Sequence, residues 1–489
     1  MASLAAGISD KYELVVGLEV HAQLSTLSKS FSSDSAAFGG GPNQHISPVS
    51  LGHPGTLPRI NKKMVEYAVK MGLACNCNIN LNNSFARKNY FYADLPKGYQ
   101  ITQDHEPVCI GGFIPVRLAG GMTKNIAIHH IHMEEDAGKS MHDQHHEDSL
   151  IDLNRAGVPL IEIVSEPDMR SAEEAAQFLT EIRKLVRYLD VCDGNMEEGS
   201  LRCDANISVR LKGQTTYNNR CEVKNLNSIR NVHRAIEHEF ERQVALMETG
   251  DYIEQNTLNF NADTGETSVL RSKEMANDYR YFPEPDLIPL VLTQEYLANI
   301  RNSMPVLPNE LYHKYINDLG LSEYDAGVIT ADKEFAVYFE ELIKHTGNYK
   351  AAVNWLMGAV KSHCNESCTS VSDFGIKPAT LAGLIELVDS GKINNSVAGH
   401  KLFPALLKGD GKSAKDVAEE LNLFISADSD DVSVFIHDAI AKFPDKVKEY
   451  QNGKKGVLGL FMGEIMKSSK GKIDPKKTNQ LLIKELESK

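Results

Sequence analysis

A chain of 489 residues is too long for one hydrophobic core, so two or three domains are expected. Its 42% hydrophobic and 24% charged residues are ordinary for a soluble globular protein, and no run of 18 apolar residues exists to span a membrane. The formal charge of −14 argues against a nucleic-acid partner only as an average, because the charge is unevenly distributed along the chain.

The first residues, Met1 to Gly7, have neither a basic stretch nor an apolar one, so no secretory signal is expected. From Tyr12 the pattern alternates. Tyr12, Leu14, Val16, Leu18, Val20 and Ala22 fall on one face of a strand, and Glu19, His21 and Gln23 on the other. Lys62 to Leu73 reads as a helix. The segment Ala86 to Gln100 is dense in aromatics and hydrogen-bond donors, including Arg87 and Lys88. It is either a platform for a nucleobase or a hairpin with an aromatic rib.

Ile126 to Ile131 alternates again, and His132-Met133-Glu134-Glu135-Asp136-Ala137-Gly138-Lys139 is expected where that strand runs out into a loop. Three consecutive acids repel one another unless a cation or solvent takes up the charge. Leu160 to Val164 sets Glu162 inside an apolar run. Ser171 with Glu174 predicts a capping box for a helix to about Leu189, and Ser228 to Glu248 an amphipathic helix stopped near Gly250. Between these helices Leu201 to Arg210 alternates, with Asp204 on its polar face, and Glu222 shares a face with Lys224. One-sided polar faces suit an antiparallel sheet whose second face lines a cavity.

Hard divalent cations take oxygen ligands, and Mg²⁺ uses one or two carboxylates with waters and substrate phosphates. Glu19, Glu134, Glu162 and Asp204 are candidate ligands, with His21 as an imidazole partner. Lys224, Arg271, Lys273, Arg280 and the pair Arg87-Lys88 are candidate phosphate clamps. The competing reading makes Glu19/His21 and Glu222/Lys224 cross-strand ion pairs on an exposed face. Asn277 to Asp286 is a second aromatic segment, whose two prolines also read as a rigid exit from the domain.

After Pro289 the spacing turns helical, as in Glu334 to His345 and Tyr349 to Val360. Gly409-Asp410-Gly411 marks a further boundary. Gly409 to Ser413 is not a phosphate loop, since Leu406 stands where the first glycine is needed and a helical pattern precedes it. The residues from Lys446 to Lys489 hold 11 Lys against five acids, a net of +6, which leaves −20 on the preceding 445. That basic end is either a phosphate-backbone contact or a solvated helical surface. Eight Cys at irregular spacing, with no C-x-x-C, are expected to be reduced thiols of a cytoplasmic protein. No G-x-S-x-G elbow is present, and no Gly-Gly stretch precedes a Ser pair that would serve an amidase.

These motifs together resemble the B subunits of bacterial glutamyl-/aspartyl-tRNA amidotransferases. The resemblance is carried by Gly17-Leu18-Glu19-Val20-His21, Pro54-Gly55-Thr56-Leu57-Pro58, Arg87 to Gln100, His132 to Lys139 and Leu160 to Asp168. It continues through Met196 to Asn206, Glu222 to Ser228, Asp278 to Asp286 and Gly463 to Lys472. It implies an α+β fold with a cradle-shaped, mainly antiparallel domain over 1–295, a helical domain over 296–408 and a small helical tail over 409–489. It also implies ATP- and Mg²⁺-dependent phosphorylation of the side-chain carboxylate of Glu-tRNA(Gln) or Asp-tRNA(Asn), followed by amidation. Ammonia would come from a glutaminase A subunit, and the assembly would be braced by a small C subunit.

On this reading Glu19, His21, Glu134 and Glu162 surround the metal. Asp204, Glu222 and Lys224 complete the wall, Arg271 and Lys273 lie nearer the nucleotide, and Lys467, Lys470 and Lys472 meet the tRNA. The alternative is a tRNA-binding scaffold with no turnover of its own; a free-standing metal-dependent ligase is a third. Many members of the family carry two pairs of zinc-binding Cys near the N-terminus. Here those stretches read Phe31-Ser32-Ser33-Asp34 and Ser47-Pro48-Val49-Ser50, so no zinc is expected.

Overall fold

The computed structural model describes residues 11–141, 147–272, 278–409, 411–425, 429–469 and 473–488. The fold is α+β, in two compact units that meet in sequence between Pro308 and Asn309. The first unit is built on one large sheet. Ten of its strands form a continuous path: β1 (Tyr12–Gln23), β2 (Ala86–Asn89), β3 (Tyr99–Thr102), β4 (Thr123–Glu135), β5 (Pro159–Ser165), β6 (Leu201–Leu211), β7 (Cys221–Lys224), β8 (Asn256–Phe260), β9 (Thr267–Ser272) and β10 (Phe282–Pro283). Their spatial order is β9-β8-β7-β6-β1-β5-β4-β3-β2-β10, and every neighbour is antiparallel except the pair β7/β8.

Period two makes this sheet two-faced. In β1 the even-numbered side chains from Tyr12 to Ala22 are all buried in the main core, and the odd-numbered positions hold Glu19, His21 and Gln23. Three helices cover the apolar face: α1 (Lys62–Ala74), α2 (Ala172–Tyr188) and α3 (Ile229–Thr249). In α2 the spacing of Ala175, Phe178, Leu179, Ile182 and Val186 turns one stripe inward, and all five are fully or nearly fully buried. Each of the large side chains among them contributes about 1.5–3 kcal/mol by leaving water. The Ser171 hydroxyl accepts from the Glu174 amide at 3.1 Å, as the capping pattern predicts. The return half of the box is altered: the Glu174 carboxylate accepts from the Arg170 amide and from Lys124 instead. Gly250 ends α3 in the left-handed region at φ 76°, where a side chain would be strained.

The sequence expectation for His132 to Lys139 requires correction. Strand β4 does not end at Ile131 but continues through Glu135, because Met133 and Ile131 are core positions and Met133 pairs with Ile161 of β5. The consecutive acids are therefore separated by the pleat. Glu134 faces the polar side of the sheet and Glu135 the other side, where it accepts from Lys97 and from the Ile101 amide. Asp136 follows the strand and takes Arg202 and Gln23. Mutual repulsion is relieved by geometry as well as by charge.

The second unit is helical among the described residues. Its aromatic contacts include Tyr315 against Phe339, with centroids 5.0 Å apart, and the Tyr338 hydroxyl donates to the Ile376 carbonyl at 2.8 Å. The segment expected as one helix from Tyr349 to Val360 changes winding after Trp355, where a π-helical turn runs from Leu356 to Val360. A separate small core near the end joins Ile436, Phe461, Ile465, Leu482 and Leu486.

Candidate active site

Strand register builds the site. On the polar face, Glu162 of β5 stands directly opposite His21 of β1 on one side and His132 of β4 on the other. Glu162 Oε2 lies 3.3 Å from His21 Nε2 and 3.4 Å from His132 Nε2. Glu134, two residues beyond His132, brings Oε1 to 3.7 Å from His21 Nε2 and Oε2 to 3.5 Å from His132 Nε2. Burial pulls the His21 imidazole toward its neutral form, but the Glu162 and Glu134 carboxylates outweigh it and hold the pKa up at about 9. Burial likewise disfavours ionised Glu162. The two imidazoles and Lys88 reverse that effect and keep it well below the usual carboxylate range.

A second group lies beside it. Glu19 pairs directly with Asp204 across β1 and β6, and Asn206 with Glu222 across β6 and β7. Like charges directly opposite one another destabilise a sheet. Lys224 answers them, its Nζ 2.5 Å from Asp204 and 2.8 Å from Glu222. Burial pushes the Glu19 carboxyl upward, with Glu162 and Glu222 adding to it; the Asn206 amide, donating at 2.9 Å, opposes them.

One ligand atom from each of His21, Glu134 and Glu162 can be chosen so that all lie within 4.8 Å of one another, and the same holds for Glu19, Asp204 and Glu222. Both groups suit a hard cation: five of the six donors are carboxylates, one is an imidazole, and none is a thiol. The sequence reading placed Glu19 with His21, Glu134 and Glu162. The geometry sets it between the two groups: its directly paired neighbour is Asp204, and the charge that acts on it most is Glu162.

A cavity of about 450 Å³ opens over this face, bordered by His21, Arg202, Asp204, Lys224 and the turns 196–199 and 225–227. Arg202 donates to Asp136 at 2.8 Å through Nη2, while its Nε is buried with no partner among the described residues. The Nε is enclosed, so the rest of the guanidinium, at the border of the cavity, is what offers charge to an anion.

The two aromatic segments meet here. β10 pairs with β2, so Tyr90 and Tyr279 come to 6.0 Å between ring centroids, with Tyr92 and Tyr281 continuing the row at 5.8 and 6.1 Å. Lys88 Nζ lies 5.0 Å over the Tyr279 ring. Burial disfavours the Lys88 cation, but Glu134, Tyr281 and Glu162 raise its pKa above the ordinary value.

Adjacent strand positions point to opposite faces, and this separates Arg87 from Lys88. Arg87 is committed to Glu284 at 2.7 Å and Asp286 at 3.2 Å, over the Tyr99 ring. It lines another cavity, of about 300 Å³, together with Lys29, Lys97 and Glu135. Arg280 is exposed in a left-handed turn at φ 46°. Arg271 is paired through its backbone with Thr257 in β8, and its side chain lies outside the described residues. Lys273, Lys470 and Lys472 lie outside them altogether, and Lys467 is exposed on the helix Leu458–Ser468.

Sequence reasoning missed His132, Arg202 and Asn206 as members of the site. The signal for His132 was present, since period two from Glu134 places it on the same face. The stretches that replace the family's cysteines are joined by one carboxylate: Asp34 accepts from Ser32 at 3.0 Å, from Ser47 at 2.8 Å and from Ser50. Partial burial pushes its pKa up, but the hydroxyls of Ser50, Ser47 and Ser32 outweigh this and hold it below the ordinary value.

Comparison with known proteins agrees with this architecture. The family model described as the GatB/GatE catalytic domain matches residues 14–298, and that described as the GatB domain matches 337–486. The chain is 45% identical over 479 residues to the B subunit of the aspartyl/glutamyl-tRNA(Asn/Gln) amidotransferase of Syntrophotalea carbinolica, covering 98% of this chain and 99% of that one. It is 47% identical to the B subunits of the same amidotransferase from Geotalea uraniireducens and Thermoanaerobacter pseudethanolicus, each covering 97% of this chain and 99% of the relative. A match of this length and level leaves one conclusion: the chain belongs to the GatB family of tRNA amidotransferase B subunits.

Proposed function

We propose that this chain is the B subunit of a glutamine-dependent amidotransferase acting on misacylated Glu-tRNA(Gln), Asp-tRNA(Asn) or both. The observation that carries the reading is the pair of acid groups on one sheet face, sharing that face with Lys88, Lys224 and Arg202. Glu134 and Glu162 would hold one Mg²⁺, with His21 as a ligand once the cation displaces its proton, and Glu19, Asp204 and Glu222 would hold a second or remain neutralised by Lys224. When bound, Mg²⁺ supplies charge neutralisation for phosphoryl transfer.

The substrate's side-chain carboxylate oxygen attacks the γ-phosphorus of ATP and ADP leaves, giving an acyl phosphate. Ammonia then attacks the carbonyl carbon, inorganic phosphate departs, and the amide forms with loss of a proton. The chain's own contribution is positioning and charge. Arg202, Lys88 and Lys224 offer cationic donors to the phosphate oxygens, and the tyrosine row at Tyr90 and Tyr279 gives the terminal nucleotide a surface to stack on. Ammonia would come from a partner glutaminase A subunit, and the assembly would be completed by a small C subunit. Residues 1–295 would carry the chemistry, 296–408 a helical domain and 409–489 a tRNA-binding tail.

The test is amidation of Glu-tRNA(Gln) by the reconstituted complex, comparing wild type with Glu134→Gln across a Mg²⁺ titration. Loss of activity with tRNA affinity retained supports the assignment. Full activity at low Mg²⁺ would move the metal to other carboxylates. If the full chain binds tRNA but never stimulates ATP cleavage, even in the complex, the scaffold reading replaces this one.

A further inference from the structure

The helical unit contains a cleft that the reaction does not use. Two helices there change to π-helical winding, at Leu356–Val360 and at Ala398–Leu402. A π-helical turn inserts an extra residue and rotates the side chains that follow, and such turns recur at binding sites. Both turns border one open cleft of about 390 Å³, lined by Asn354, Trp355, Ala359, Asn395, Gly399 and His400.

Trp355 is the only tryptophan of the chain. Its ring is braced by Phe403, with centroids 5.9 Å apart and planes inclined at 33°, and it is half-buried. Phe403 in turn stacks on Phe374 at 6.1 Å, so the indole rests on an aromatic row. Asn354, Asn395 and His400 are exposed and form no side-chain hydrogen bond among the described residues. Gly399 leaves the indole edge uncovered: a Cβ built there would meet only Trp355 Cη2, at 3.9 Å.

The lining holds one supported aromatic ring, two carboxamides that both donate and accept, the Ser396 hydroxyl, one imidazole and no carboxylate, ammonium or guanidinium. A phosphate or carboxylate ligand would need cations that this cleft lacks. A nucleobase needs what it has, a π face to stack on and donors and acceptors at the edge. We propose that the cleft binds one unpaired base of the tRNA, stacked on Trp355 and hydrogen-bonded at its edge by Asn354, Asn395 and His400. This rests on the reading of the chain as a tRNA-binding protein, and it places a base contact in the helical unit in addition to the one proposed at the tyrosine row of the catalytic sheet.

The lone indole makes the test direct, because tryptophan emission from the full chain reports this cleft alone. Titration with a tRNA transcript is expected to change that emission along the same curve as binding measured with end-labelled tRNA. Trp355→Ala and Gly399→Leu, which fills the cleft, are expected to weaken binding roughly ten- to hundredfold, the effect of one lost stacked base. Trp355→Phe, which keeps an aromatic plane, is expected to stay within about threefold of wild type. Circular dichroism melts of each variant identify any that fail to fold, and Asn395→Ala then serves as the milder substitute. If tRNA binds with emission unchanged and both cleft variants keep wild-type affinity, the cleft proposal is overturned and the amidotransferase reading stands. If the wild-type chain binds no tRNA, alone or in the complex, both are overturned.

Discussion

Replacing Glu162 by Gln strikes the point where three strands converge. The substitution keeps size and shape, removes one charge, and leaves the fully buried Ile161 and Ile163 in place. The lost charge stands 3.3 Å from His21 Nε2 and 3.4 Å from His132 Nε2. Two unit charges about 4 Å apart interact by about 4 kcal/mol at an effective dielectric near 20. The Glu162 side chain is 13% exposed, so solvent screening is modest. Doubling this for a divalent ion, then discounting by about two thirds for solvent screening and for the carbonyl oxygen that Gln keeps as a ligand, leaves roughly 2.7 kcal/mol, equivalent to a hundredfold in Mg²⁺ affinity. The assay is calorimetric titration of the full chain with Mg²⁺, paired with the Mg²⁺ dependence of amidation by the complex. Both midpoints are expected to rise about a hundredfold while the tRNA dissociation constant stays unchanged. A Mg²⁺ midpoint within twofold of wild type would refute the argument from register.

Other consequences are equally open to measurement. Lys224→Met removes the cation between Asp204 and Glu222; it is expected to cost about 2 kcal/mol of thermal stability without Mg²⁺, and added Mg²⁺ should recover most of it. A loss that Mg²⁺ does not touch would exclude a cation at the second acid group. Asp34→Ala is expected to cost about 1–2 kcal/mol at neutral pH, since three hydroxyls lose a partly exposed charged acceptor. Because the folded pKa of Asp34 lies below its unfolded value, that contribution is present above about pH 4 and is lost as pH falls through the folded pKa. Wild-type and variant melting curves should therefore converge in acid and separate toward neutrality. Metal analysis of the purified protein is expected to find no stoichiometric zinc, and one zinc per chain would mean other ligands have replaced the cysteines. Changing Lys467, Lys470 and Lys472 together to Gln should weaken tRNA binding and lower its salt slope by roughly two to three units; an unchanged slope would remove the tail from the interface.

Much of this protein was legible in its one-dimensional pattern. Alternation in Tyr12 to Gln23 and in Leu201 to Leu211 carries both the strand assignment and the polar face, because a side-chain period of two needs no tertiary knowledge. Ser171, Ser228 and Gly250 mark helix ends by local backbone chemistry alone. The motifs were also long and specific enough to reveal the family.

Pairing was not legible, because register depends on residues far apart in sequence. Only the folded sheet sets His132 opposite Glu162, Glu162 opposite His21 and Glu19 opposite Asp204. The run Glu134-Glu135-Asp136 looked like one anionic cluster. The core positions of Ile131 and Met133 extend the strand through it and send its charges to different partners. Arg87 and Lys88 are neighbours in the chain but reach opposite faces of the sheet, so one is spent on Glu284 while the other stands over the tyrosines beside Glu134. Sequence alone supplied the chemical groups and their periodicity; long-range packing decided which of them share a site, since charges interact over a few ångströms of space and not along the chain.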